Sequence, residues 1–110
     1  MDKNDIKIYI VKCTEYINIK EFYLELIDNY IKTNNNNTII NRLYRNIHIC
    51  INDIILYSDI ILKYIDTRLN YNDDKLDNFE SNFILKYVNK IGYNIELLSI
   101  YIKTLYNILL

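Results

Sequence analysis

The segment TIINRLYRNIHICINDIILYSDIILKYIDTRL, Thr38 to Leu69, decides the fold. Ile40, Ile47, Ile54 and Ile61 recur every seven residues. Leu43, Cys50, Tyr57 and Tyr64 follow each of them by three, and Tyr44, Ile51, Ser58 and Ile65 by four. Arg45, Asn52, Asp59 and Asp66 hold the opposite, polar face. An apolar stripe three positions wide per heptad suits a helix packed against two neighbours. A two-position seam would suit a two-stranded coiled coil. Unbroken, such a helix spans about 48 Å at 1.5 Å per residue. Asn52-Asp53 and Ser58-Asp59 are the points at which it could break, because both pairs favour helix caps. A strand is the competing reading for Asn46 to Asn52, which alternates polar and apolar residues and is rich in Ile. The helical period persists through four heptads and the alternation through one short run, so the helix is favoured.

The flanking segments repeat the pattern. Between Asp5 and Lys32, pairs recur every seven residues: Tyr9-Ile10, Tyr16-Ile17, Tyr23-Leu24 and Tyr30-Ile31. Ile6, Cys13 and Ile27 extend that face, and Asn4 or Asp5 would cap the start. Asn18-Ile19-Lys20-Glu21 has capping-box spacing and marks a candidate break or bend at Asn18. Ile6 to Ile10 also alternates, which leaves a short strand as the minor reading there. Tyr at a seven-residue interval is explained by its apolar ring and polar tip, which suit the margin of a buried face.

Asn34 to Asn37 and Asn70 to Asp73 read as polar connections. Asn37 or Thr38 would cap the central helix, and Asp73 or Asp74 the third segment. Asp77 and Glu80 would then lie in or near its first turns, where carboxylates complement the helix dipole. From Lys75 onward, Ile84, Val88, Ile91, Ile95, Leu98, Ile102, Leu105 and Leu109 follow alternating four-three spacing. Gly92 lies within this seam. It is read either as the stop of one helix, with Asn94 capping the next, or as a tolerated weak point in a single helix. The expected architecture is therefore all-α: one domain, residues 1–110, an antiparallel bundle of three long segments, the third kinked or split at Gly92, giving three to six helices.

Composition narrows the functional classes. A chain of 110 residues can bury a core without metal or disulfide support. The net charge of −1 lacks the basic excess of a typical phosphate-binding surface, so nucleic acid is disfavoured. Neither a signal-peptide pattern nor a long uncharged apolar run is visible, which points to a soluble, intracellular protein without a membrane span. Ala, Gln, Pro and Trp are absent while Ile, Asn, Tyr and Lys abound, as an AT-rich genome would dictate. Cys13 and Cys50 both fall on apolar faces and read as buried thiols, with a disulfide between the first two helices the alternative.

The residues that usually carry chemistry are sparse. His48 is the single histidine, which rules out a pair of His ligands. One glycine cannot build a Gly-rich phosphate loop. The acidic run from Asp73 to Glu80 lacks the spacing of an EF-hand loop. Arg42, Arg45 and His48 form a modest basic strip that reads as a solvated face. No catalytic, cofactor-binding or metal-binding residue is assigned, no cofactor is expected, and the partner-binding residues are undetermined. The expected function is a small non-enzymatic interaction module that binds a partner protein through a helix face or groove, with inhibition of that partner a further option. A structural subunit that assembles into a homo-oligomer through its heptad seams is the first alternative. Gly92-Tyr93-Asn94 also resembles the Gly-x-Asn-Trp-Gly-Arg segment that opens the central helix of Bcl-2 proteins. Ile95, Glu96 and Leu97 stand where that motif has Trp, Gly and Arg, and the chain ends where that fold continues with further helices. The resemblance implies a divergent viral Bcl-2-like regulator of host signalling as the second alternative.

Overall fold

Three helices make up the computed structural model, which describes residues 3–33, 38–68 and 77–109. They are α1 (Lys3–Thr33), α2 (Thr38–Arg68) and α3 (Asn78–Leu109), and no strand occurs among the described residues. The alternating runs at Ile6–Ile10 and Asn46–Asn52 are helical. With almost no intrinsic preference for helix in an Ala-free sequence, tertiary burial of the seven-residue stripes is what holds them.

Neighbouring helices run antiparallel. Lys7 of α1 reaches Asp66 of α2, and Asp28 of α1 meets Tyr44 of α2. Tyr57 and Tyr64 of α2 stack on Tyr87 and Phe83 of α3 in the reversed order. The result is a rod of 55 × 19 × 17 Å. Its axis is buried by Ile47, Ile54 and Ile61 of α2 and by Ile84, Ile91, Leu98 and Leu105 of α3, all with no exposed surface. Ile6, Ile10, Cys13 and Ile17 bring α1 onto this core. The backbones of α2 and α3 approach closely along their lengths, and α1 approaches α2 at fewer positions.

Several candidate interruptions are absent. The helix α1 passes through Asn18 and α2 through Asn52 and Ser58 without a break. Asn4 and Asp5 lie within the first turn of α1, not ahead of it. The third segment is one helix: α3 continues through Gly92, whose backbone shows no positive φ, so it is neither a stop nor a division point. The Asn94 amide donates to the Lys90 carbonyl at 2.8 Å inside the helix instead of capping a new one. Gly92 is therefore also not the opening of a helix, the place the Bcl-2 motif gives its glycine.

Asp77 caps α3. The Glu80 backbone N–H donates to Asp77 Oδ1 at 2.7 Å, and the Asp77 N–H donates to Glu80 Oε1 at 3.2 Å. This is a reciprocal capping box, completed by the Ser81 N–H donating to the Asp77 carbonyl. Asp73 and Asp74, the expected caps, lie outside the described residues, as do Asn34 to Asn37, Asn70 to Asn72 and Leu69.

The antiparallel register also settles the cysteines. Cys13 is level with the region around residue 60 of α2, so Cys50 lies about ten residues, or about 15 Å, farther along the axis. A disulfide needs Cα atoms within about 7 Å. Both thiols are free and buried.

Candidate functional site

Three regions bring polar or reactive side chains together. The first lies between the C-terminal half of α1 and the N-terminal half of α2. Glu21, Glu25 and Asp28 occupy positions four and three apart on α1 and face Tyr44 and His48 across an open cleft of about 200 Å³. Tyr44 donates its hydroxyl to Asp28 Oδ1 at 3.1 Å, and its ring meets that of His48 edge-on at 4.5 Å. Burial, followed by the hydrogen bond and charge of Asp28, raises the Tyr44 pKa, so the phenol stays a neutral donor at physiological pH. The arrangement fastens α1 to α2. Among the described residues, no three His, Cys, Asp or Glu side chains converge well enough to hold a metal ion.

The second region joins α1 to both other helices. Tyr9 projects from α1 toward α3, its hydroxyl oxygen 3.8 Å from the position a Cβ on Gly92 would take. Cys13 follows Tyr9 one turn along α1, close enough to influence its titration. Burial first, and then Cys13, pushes the Tyr9 pKa up to about 12. Burial raises the Cys13 thiol as well, against a smaller opposing effect of the Tyr9 hydrogen bond. Cys50 is raised by burial and by the charge of Asp53. Neither cysteine has the depressed pKa of a reactive thiolate. Nearby, Ser58 of α2 is buried with no partner for its hydroxyl. Thr14, Thr67 and Thr104 instead return their hydroxyls to carbonyls four residues back.

The third region is the side of the α2/α3 hairpin turned away from α1. Tyr57, Tyr64, Phe83 and Tyr87 form a continuous aromatic ladder there, with centroid separations of 4.9 to 5.8 Å. Lys90 Nζ lies 5.3 Å from the Tyr57 ring and 5.5 Å from the Tyr87 ring, within cation–π range of both. At one end, Ile60, Lys63, Tyr64, Thr67 and Phe83 line an open hollow of about 400 Å³. Glu80 sits behind the ladder, buried, with Oε2 3.4 Å from the Tyr64 hydroxyl, so the carboxylate that caps α3 also faces α2.

No family model, curated protein or solved structure matches the chain.

The residues singled out in the sequence separate in space. His48 is half-buried beside the α1/α2 cleft, while Arg42 and Arg45 are exposed. Arg42 shares its heptad position with Ile49 and Leu56, and Arg45 shares its own with Asn52 and Asp59, so the three do not form one basic surface. Sequence reasoning missed the Tyr44–Asp28 bond, which depends on the register of α1 against α2. It also missed the Asp77–Glu80 box, although the Asp-x-x-Glu spacing was there to be read. Among the described residues no helix is long and apolar enough to cross a membrane.

Proposed function

We propose that the chain is a small non-enzymatic interaction module that binds a partner protein through a helix face of its bundle. Where the bound surface is one the partner needs, binding inhibits that partner. The observation that carries this reading is the placement of exposed apolar side chains. Ile49, Leu56, Tyr93 and Ile100 are large, more than half exposed and set along the outer side of α2 and α3. Scattered surface apolar residues are ordinary, but residues collected along one face mark interaction surfaces.

The test is affinity capture with the intact chain, followed by reconstitution with the purified partner and measurement of the complex mass by light scattering. A complex of fixed stoichiometry, formed by a chain that is monomeric alone, is expected. A chain that self-associates with rising concentration and forms no such complex would replace this reading with that of a self-assembling subunit.

A further inference from the structure

We infer that the face of the α2/α3 hairpin opposite α1 is a trough for one amphipathic helix whose apolar stripe is flanked by Asp and Glu. This deepens the reading above and rests on it. The trough follows from the register. On α2 the positions 42, 49, 56 and 63, with 46, 53, 60 and 67 beside them, point away from α1. On α3 the matching rows are 79, 86, 93 and 100, and 83, 90, 97 and 104. The Tyr57–Tyr87 and Tyr64–Phe83 contacts bring these rows alongside one another. Ile49 is 52% exposed, Leu56 54%, Tyr93 63% and Ile100 59%. Half-buried Ile60, Phe83 and Leu97 lie between them, with half-buried Asn46 and Asp53 in the same row of α2 as Ile60. From Arg42 to Lys63 the trough runs about 32 Å, the length of a helix of about 21 residues.

Charge selects the occupant. Arg42, Lys63, Lys86 and Lys90 stand in these rows and are exposed, against the single carboxylate of Asp53. The chain as a whole is slightly acidic, so this face departs from its average. Cations interspersed with exposed Ile49, Leu56, Tyr93 and Ile100 match a helix with an apolar stripe and acidic margins. A phosphate backbone would satisfy the cations and leave Ile49, Leu56 and Ile100 against water. The opposite side of the hairpin already shows the geometry in use, since α1 packs there through Ile6, Ile10, Cys13 and Ile17. A helix in the trough completes a four-helix arrangement.

The test uses the full chain and two synthetic helical peptides of about 21 residues, the trough length at 1.5 Å per residue. Both carry the same Leu stripe, one with Glu margins and one with Lys margins. Binding is followed by fluorescence anisotropy at low and high salt. The Glu peptide is expected to bind at least about tenfold tighter than the Lys peptide, with the difference shrinking in salt. The double variant Lys63→Glu/Lys86→Glu should invert that preference, and Leu56→Glu should abolish binding. All three side chains are exposed, so both variants are expected to fold, as circular dichroism will show. Ile8→Glu on the outer side of α1 should change nothing. Equal binding of both peptides, or of neither, overturns the inference. So does a dimer of the chain alone that Leu56→Glu dissociates, or salt-sensitive capture of an RNA duplex that Lys63→Glu/Lys86→Glu removes. A reconstituted partner complex that survives Leu56→Glu but is lost in Ile8→Glu would overturn the trough and leave the interaction reading standing. Failure to reconstitute any complex would overturn the interaction reading itself.

Discussion

The two interfaces of α2 are built differently. Toward α3 it presents Ile47, Ile54 and Ile61 to Ile84, Ile91 and Leu98, every one fully buried, with the aromatic ladder alongside. Toward α1 it presents a mixture. Ile51 and Ile65 are buried, but the same face carries Tyr44, bonded to Asp28, and Ser58, buried without a partner. The Lys7–Asp66 pair at 3.7 Å is exposed and contributes at most about 1 kcal/mol. Interdigitated apolar packing gains from every methylene, whereas a buried unpaired hydroxyl costs about 1–3 kcal/mol. The hairpin of α2 and α3 is the stable body, and α1 is a helix laid on it.

The largest expected effects test that division directly. Leu98→Asp and Ile54→Asp each place an unpaired charge where no surface is exposed, and should cost more than about 4 kcal/mol and unfold the chain. A folded, soluble Leu98→Asp variant, judged by circular dichroism and thermal melting, would show that the core is misassigned. Truncation gives the finer comparison. Ile54→Ala should fall at the upper end of the usual range of about 2–5 kcal/mol, and Ile17→Ala at the lower end, because α1 can settle into the space left behind. Equal losses in urea denaturation would erase the distinction between the two interfaces.

The same distinction explains what the sequence allowed one to read. The seven-residue rows at 40, 47, 54 and 61 and at 84, 91, 98 and 105 are strictly periodic, and all eight residues are buried. Periodicity reports burial, so the helices and the hairpin core were legible. Helix termini follow local hydrogen bonding instead. Asp73, Asp74 and Asp77 are chemically alike as caps, and only the Glu three residues after Asp77 separates them. Gly92 was ambiguous because its propensity argues for a break while its neighbours Ile91 and Ile95 argue for continuity, and tertiary packing prevailed. The trough was not legible. Nothing in the spacing of Ile49, Leu56, Tyr93 and Ile100 tells that α1 lies on the other side of the hairpin.

Gly92 leads to a prediction of opposite sign. A Cβ there would have Tyr9 Oη at 3.8 Å as its nearest neighbour, an ordinary contact. Gly92→Ala removes the penalty of glycine inside a helix and is expected to stabilise the chain by up to about 1 kcal/mol, raising the thermal midpoint. A lowered midpoint would mean that Tyr9 packs on α3 more tightly than α1 packs on α2.

Tyr9 also supplies a pH signature of the α1 interface. Its pKa is about 12 in the folded chain, against an ordinary 10. Below pH 10 it is neutral in both states and its contribution is intact. Between about 10 and 12 the unfolded chain loses the proton first, so stability declines across that window. Tyr9 is only half-buried, so solvent screens part of the effect. Tyr9→Phe should flatten that part of the decline in urea midpoints taken from pH 9 upward. An unchanged slope would place the phenol in water and loosen α1 further.

The smallest expected effect is at Arg45, on the polar face of α2, for which no contact with α1 or α3 is seen among the described residues. Arg45 is exposed and lies outside the trough, in the row of Asn52 and Asp59 that ends at Asp66, the partner of Lys7. Removing its side chain strands no buried carboxylate, so Arg45→Ala should shift stability by less than about 0.5 kcal/mol. It should also leave binding of the Glu-margined peptide within twofold, about 0.4 kcal/mol. Arg42→Ala, one turn earlier but in the trough row, should be equally silent for stability while weakening that peptide. If the two arginines behave alike in both measurements, the boundary drawn between the rows is wrong. A clean separation would fix the edge of the trough to within a single turn of α2.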